Sequence, residues 1–180
     1  QAMAHLSQQR QVGFVLIGTK KEETDVQEAI RCYRQAGGQG ILCEAVGQTT
    51  VPQLIGLLEH CQLMVTNDTG PMHMAVGVNT PVLNVSVGHV DFWETGPFGP
   101  GNWVIQPDIL CGPCGFDKIC PHHACKDHII PQEVAELCLH LLGVRSFPSF
   151  SSKIRVYEGG VNEDQLGTFI LRAGTEDSRV

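Results

Sequence analysis

Residues Asn67-Asp-Thr-Gly-Pro-Met-His-Met-Ala75 place small and polar side chains between an apolar run and a helix start, a composition suited to holding an anion. The free N–H groups of a helix start and its positive dipole end attract phosphate. Gly70 lets a ligand approach the backbone, the Thr69 hydroxyl adds a donor, and Pro71 suits the first helical position. The same residues admit a purely structural reading, in which Asp68 or Thr69 caps the helix and His73 fills a polar niche. A second concentration of chemistry is Cys111-x2-Cys114-x5-Cys120-x4-Cys125, with His122, His123 and His128 interleaved. These are enough ligands for a tetrahedral zinc ion. The irregular second spacing fits a reduced structural loop, or one or two disulfides, equally well. No single cysteine there has a dedicated activating context.

The elements that must position these residues follow from hydrophobic periodicity and from Gly and Pro punctuation. Residues 2–10 read as the last turns of a helix, and Val12 to Ile17 as a buried strand ending at Gly18. Thr24 or Asp25 is expected to cap a helix with Val26, Ala29, Ile30, Tyr33 and Ala36 on one face, stopped by Gly37-Gly38. A strand over 41–46, a helix capped by Thr49 or Thr50 and started by Pro52, and a strand over 63–66 come next. Pro71 opens a short helix to about Gly77, followed by a strand over 81–87. Residues 88–102 are expected as a long loop, 103–106 as an edge strand, 107–127 as a cysteine-rich loop, and 131–143 as a helix. Strands within 153–157 and 168–171 suggest a hairpin.

Alternation of buried strands with helices implies an α/β fold, a Rossmann-like parallel sheet with helices on both faces. Its ligands would bind beyond the carboxyl ends of the strands. The expected organisation is a binding domain over 1–143, including the cysteine-rich loop, and a small β appendage over 144–180.

At 180 residues with 42% apolar content the chain can bury a sizeable core. Lys+Arg 12 against Asp+Glu 19 gives a net charge of -7, and no basic cluster offers nucleic acid or an anionic membrane a footprint. The longest apolar runs, Ile55 to Leu58 and Leu137 to Leu142, are too short to span a bilayer, and no basic-then-apolar leader opens the chain. A cytoplasmic protein is expected. Cys32, Cys43, Cys61 and Cys138, scattered singly, are expected to be reduced core thiols.

The segment Thr66 to Ala75, followed by Gly77-Val-Asn-Thr-Pro-Val82, resembles the signature of glycosyltransferase family nine, the ADP-heptose:lipopolysaccharide heptosyltransferases. Gly47-Gln-Thr-Thr50 resembles that family's Gly-x-Thr-Ser/Thr element, and Cys111-Gly-Pro-Cys114 to Ile130-Pro131 its cysteine-rich loop and final helix. The resemblance covers roughly residues 12–143 and implies the second domain of a two-domain GT-B type enzyme. It further implies that Asp68, Thr69, Gly70, Pro71, Met72 and His73 surround the donor diphosphate, with His73 a neutral hydrogen-bond donor. Asp68, repelled by phosphate, would orient the turn or approach the sugar. Glu44 would hold the ribose hydroxyls, with Gly18, Thr19 and Gly88 as further donor-side candidates. Val87 and His89-Val90 depart from the family's Phe-Gly-Pro-Thr stretch, which leaves the sugar-side contacts open.

The implied partners are ADP-heptose or a related sugar nucleotide, an N-terminal acceptor domain and, through it, a lipopolysaccharide core acceptor. No cofactor is required on this reading, a structural zinc aside. The catalytic base and a basic phosphate contact are expected before residue 1, and this chain alone is expected to bind donor without transferring sugar. Peripheral placement at the inner membrane is compatible with the intact enzyme. The competing reading is a metal-binding or redox module built on residues 111–128.

Overall fold

The computed structural model describes residues 1–114 and 119–175. In chain order the elements are α1 (Ala2–Gln9), β1 (Phe14–Leu16), a 3-10 turn (Lys20–Glu22), α2 (Glu23–Gln35), β2 (Leu42–Glu44), α3 (Val51–Glu59), β3 (Met64–Thr66) and α4 (Gly70–Gly77). Then come β4 (Val82–Val85), α5 (Phe92–Thr95), β5 (Trp103–Pro107), α6 (Ala124–His128), α7 (Pro131–Leu141), β6 (Ile154–Val161) and β7 (Gly167–Ala173). Two compact units result: Gln1–Leu54 with Pro131–Ser146, and Ile55–Ile130 with Phe147–Val180.

In the first unit β1 and β2 pair in parallel, Leu16 opposite Glu44, through the crossover helix α2. Only Ile30 and Tyr33 of the expected α2 face are buried. Its entrance also differs from expectation: the cap is Thr19, ahead of the 3-10 turn, rather than Thr24 or Asp25. The Thr19 N–H and hydroxyl both donate to Glu22 Oε2, at 2.7 and 2.8 Å, a reciprocal capping box. Thr50 repeats the device at α3, its N–H and hydroxyl donating to Gln53 Oε1 at 2.9 Å each. α7 buries Val134, Ala135, Leu137, Cys138 and Leu139, and is tied to α1 by His5 and Glu136 at 3.2 Å.

The second unit holds a five-stranded sheet in the order β3-β4-β5-β6-β7. The β3-β4 and β4-β5 pairs are parallel, and β5-β6 and β6-β7 antiparallel. Two expectations change here. β5 is an interior strand, buried at all five positions, and the C-terminal hairpin expected as an appendage continues the sheet from it. The physical reason is the unpaired edge that β5 would otherwise carry: Trp103, Val104 and Ile105 are too apolar to leave at an open edge, and β6 supplies their backbone partners. The parallel pairing expected of the strands is present in each unit, β1 with β2 in the first and β3, β4 and β5 in the second.

The loop expected over 88–102 contains α5, capped by the Asp91 carboxylate, which accepts from the Trp93 N–H at 3.1 Å. Phe92, fully buried, meets Tyr157 of β6 at 4.8 Å between ring centroids and Phe169 of β7 at 5.0 Å. Edge-on and tilted contacts of this kind each add about 0.5–1.5 kcal/mol beyond area burial. The hairpin therefore anchors α5, and α5 carries a residue that matters at the site.

No helix among the described residues is long and apolar enough to cross a membrane. Of the four scattered cysteines, Cys138 is buried and Cys61 partly so. Cys32 and Cys43 are exposed, because each sits on the outward side of an amphipathic element, contrary to the core placement expected of them.

Candidate functional site

β3 ends at Thr66 and α4 begins at Gly70, so Asn67, Asp68 and Thr69 form the whole turn between strand and helix. Thr69 is the N-cap residue with an extended backbone, yet no side chain caps the helix start. Its hydroxyl lies 3.4 Å from both the Asn67 carbonyl and the Thr66 hydroxyl, the outer limit of a hydrogen bond. Pro71 stands in the first turn, where its fixed φ suits the helix. A Cβ at Gly70 would meet nothing within 4 Å, so its smallness serves no internal packing. This helix start is open, with its donors and dipole end unsatisfied by side chains.

The capping role expected as the structural alternative for Asp68 is not the one it takes. Its carboxylate, whose side chain is 8% exposed, accepts from the Thr95 hydroxyl at 2.6 Å, and its other oxygen stands 3.8 Å from His73 Nε2. The second distance exceeds a hydrogen bond, so Asp68 and His73 are electrostatic neighbours. Met72 is fully buried and anchors the helix, while its N–H bonds the Thr69 carbonyl at 3.0 Å. Thr95 was missed by sequence reasoning. The available signal was Asp91-x-x-Glu94, a cap residue followed at three by an acid, which marks a helix start inside the supposed loop.

Gly88 follows β4 with φ +82, the left-handed region that favours glycine, and a Cβ there would meet nothing within 4 Å. The Gly88 carbonyl accepts from the Cys114 N–H at 3.1 Å, which ties this turn to the cysteine loop.

In the first unit Glu44 closes β2, half-buried, with Oε2 accepting from Gln27 Nε2 at 2.8 Å. The side chain is thereby oriented and one oxygen remains. Thr19 differs: both of its donors serve Glu22, so its hydroxyl is committed to the fold. Those N–H and O–H donors hold the Glu22 carboxyl below its usual range. Gly18 accepts from the Gly47 N–H at 2.8 Å, and the exposed Lys20 and Lys21 follow, with no ion pair among the described residues.

The model of glycosyltransferase family 9 (heptosyltransferase) matches residues 1–122. The chain belongs to glycosyltransferase family 9. Among curated relatives of this family 9 chain, a lipooligosaccharide heptosyltransferase 2 of Campylobacter jejuni serotype O:2 is 33% identical over 133 residues, 72% of this chain and 40% of the relative. A lipopolysaccharide heptosyltransferase 3 of Escherichia coli is 39% identical over 84 residues, 46% of this chain and 24% of the relative. Among solved structures, that of E. coli ADP-heptose LPS heptosyltransferase II is similar with a TM-score of 0.58 and 28% identity, over 77% of this chain and 40% of that one. The chain spans about two fifths, 40%, of the length of the first of these relatives and of the solved neighbour.

Proposed function

We propose that the protein transfers heptose from ADP-heptose to a lipopolysaccharide core acceptor, and that this chain is its donor-binding half. The observation that carries the reading is the open start of α4: a helix N-terminus without a side-chain cap, a glycine with free space above it, and an adjacent carboxylate held aside by Thr95. The family match and the names of the relatives supply the sugar and the class of acceptor.

In this mechanism the N–H groups at the α4 start and the Thr69 hydroxyl bind the donor diphosphate. As the bond from the anomeric carbon to the diphosphate breaks, negative charge grows on the departing oxygens. Preorganised backbone dipoles stabilise that charge without reorganising. Thr95 keeps the Asp68 carboxylate turned to the hydroxyl, which limits its repulsion of phosphate, and His73 donates a hydrogen bond to the diphosphate. In the first unit Glu44, oriented by Gln27, offers a carboxylate oxygen suited to the hydroxyls of a ribose. Gly88 gives the sugar an unobstructed backbone to approach. The base that deprotonates the acceptor hydroxyl, and the wall that holds the acceptor, belong to the N-terminal acceptor domain of the intact enzyme. Without that second wall, positioning worth many orders of magnitude in rate is lost.

Calorimetric titration of the purified chain with ADP, UDP, GDP and CDP tests the reading. ADP is expected to bind tightest, and ADP-heptose tighter still. A flat response to all four nucleotides, or a clear preference for another base, sinks the ADP assignment.

A further inference from the structure

The four clustered cysteines were left open by their spacing, and the second unit brings them to one place. Cys111, Cys114, Cys120 and Cys125 all line a single pocket, together with His122, Gln106 and the segment Ser86 to Gly88 at the end of β4. All four are free thiols. A purely packing role gives no reason for four sulfurs around one pocket, and the contrast with Cys138 is direct. Burial pushes the Cys138 thiol up to about 12, an inert core thiol, whereas Cys111 is exposed and Cys114, Cys120 and Cys125 are half-buried on the pocket wall. The His123 N–H lies 3.3 Å from Cys120 Sγ.

The pocket wall carries an independent mark. The Ser86 hydroxyl is buried and has no hydrogen-bond partner among the described residues. A buried hydroxyl without an acceptor is costly, and a metal-bound thiolate, rich in electron density, is an acceptor suited to it.

We propose that Cys111, Cys114, Cys120 and Cys125 are the four ligands of a tetrahedral zinc ion, with the Ser86 hydroxyl donating to one of the bound sulfurs. On binding, four Zn–S bonds form and each thiol gives its proton to solvent, so the ion enters as Zn2+ and four protons leave. Among the described residues no three His, Cys, Asp or Glu side chains are grouped as an ion would hold them, so the thiols must turn inward from the pocket wall as it binds. Four thiolates complete the tetrahedron, which makes the site closed and structural and leaves His122 outside it. The effect is to staple the loop to the strand exit, where the Cys114 N–H already holds the Gly88 carbonyl.

Elemental analysis of protein purified without chelator should find one equivalent of zinc. Replacing it with Co2+ should give the visible bands of a tetrahedral thiolate complex. Serine at any of the four positions should remove the metal, whereas His122→Ala and Cys32→Ser should retain it. If the serine variants fail to fold, thiol alkylation read by mass spectrometry decides: the four cysteines should resist the reagent until chelator is added, while exposed Cys32 and Cys43 react throughout. Reduced protein that takes up neither zinc nor Co2+, a disulfide between two of the four in metal-free protein, or loss of metal in His122→Ala each overturns the proposal. None of these outcomes depends on whether nucleotide binds.

Discussion

At the exit of β1, Thr19 gives both its N–H and its hydroxyl to Glu22, whereas at the exit of β3, Thr69 closes no such box. Both junctions run from a three-residue strand through a threonine into a helical turn, with a glycine beside it. The first follows its threonine at position three with Glu22, and the second with Met72, which is buried and cannot cap. The nearest acid at the second junction, Asp68, is occupied by Thr95. One helix entrance is thus closed on itself and the other stays open to a ligand. The lesson is that an anion site depends on withholding a cap as much as on supplying donors.

The largest effect expected from this contrast is at Gly70. Gly70→Val should weaken ADP binding on the order of 100-fold, at 1.4 kcal/mol per tenfold, while thermal unfolding is nearly unchanged because a Cβ there meets nothing within 4 Å. A large loss of thermal stability with intact binding would place the glycine in the packing and not in the site. Next, Thr69→Val keeps shape and removes one donor, so affinity should fall by about 1–2 kcal/mol with little change in unfolding temperature. Equal affinity in this variant would return the junction to an ordinary helix start.

The closed junction should respond in the opposite way. Glu22→Ala ought to lower stability by about 0.5–1 kcal/mol, an exposed cap's worth, and leave ADP affinity alone. Because the folded Glu22 carboxyl titrates below its usual 4.5, its contribution is full above that pH and fades as pH falls through the lower folded value. Unfolding temperatures of wild type and variant should therefore converge in acid; a gap that widens there would contradict the capping box. The smallest effect is at Glu44, where Glu44→Gln preserves the geometry towards Gln27 but removes charge. It should weaken ribonucleotide binding by about threefold, roughly 0.5–1 kcal/mol, and 2′-deoxynucleotide binding less. Equal losses for both would separate Glu44 from the ribose.

The open junction was legible in the sequence because strand, turn, proline and helix are all local signals; β3, α4 and β4 fall where periodicity puts them. Thr95 was not, since its partner Asp68 is 27 residues away and only the aromatic packing of Phe92 on the hairpin brings α5 to it. The interior position of β5 was hidden for a similar reason. Its apolar run reads the same whether one neighbour or two will pair with it, and the second neighbour comes from the tail. Thr19 was read as a ligand candidate because it follows a strand and a glycine, and only the distance to Glu22 reveals where its donors go. The thiols of residues 111–125 were visible as a group, but their shared pocket with Ser86 was not.

The interleaving of the two units sets an order of assembly. The first unit is interrupted after Leu54 and resumes only at Pro131, and His5 finds Glu136 across a separation of 131 residues. During synthesis, α1 and the β1-β2 pair must wait for α7 before their compact unit is complete. β5 must in turn wait for β6, which follows α7. Closing long loops costs only about 0.6 kcal/mol per doubling of length, so the finished fold loses little stability. Its speed is affected more, because partners so distant in the chain meet late, and the apolar edge of β5 stays uncovered until β6 emerges.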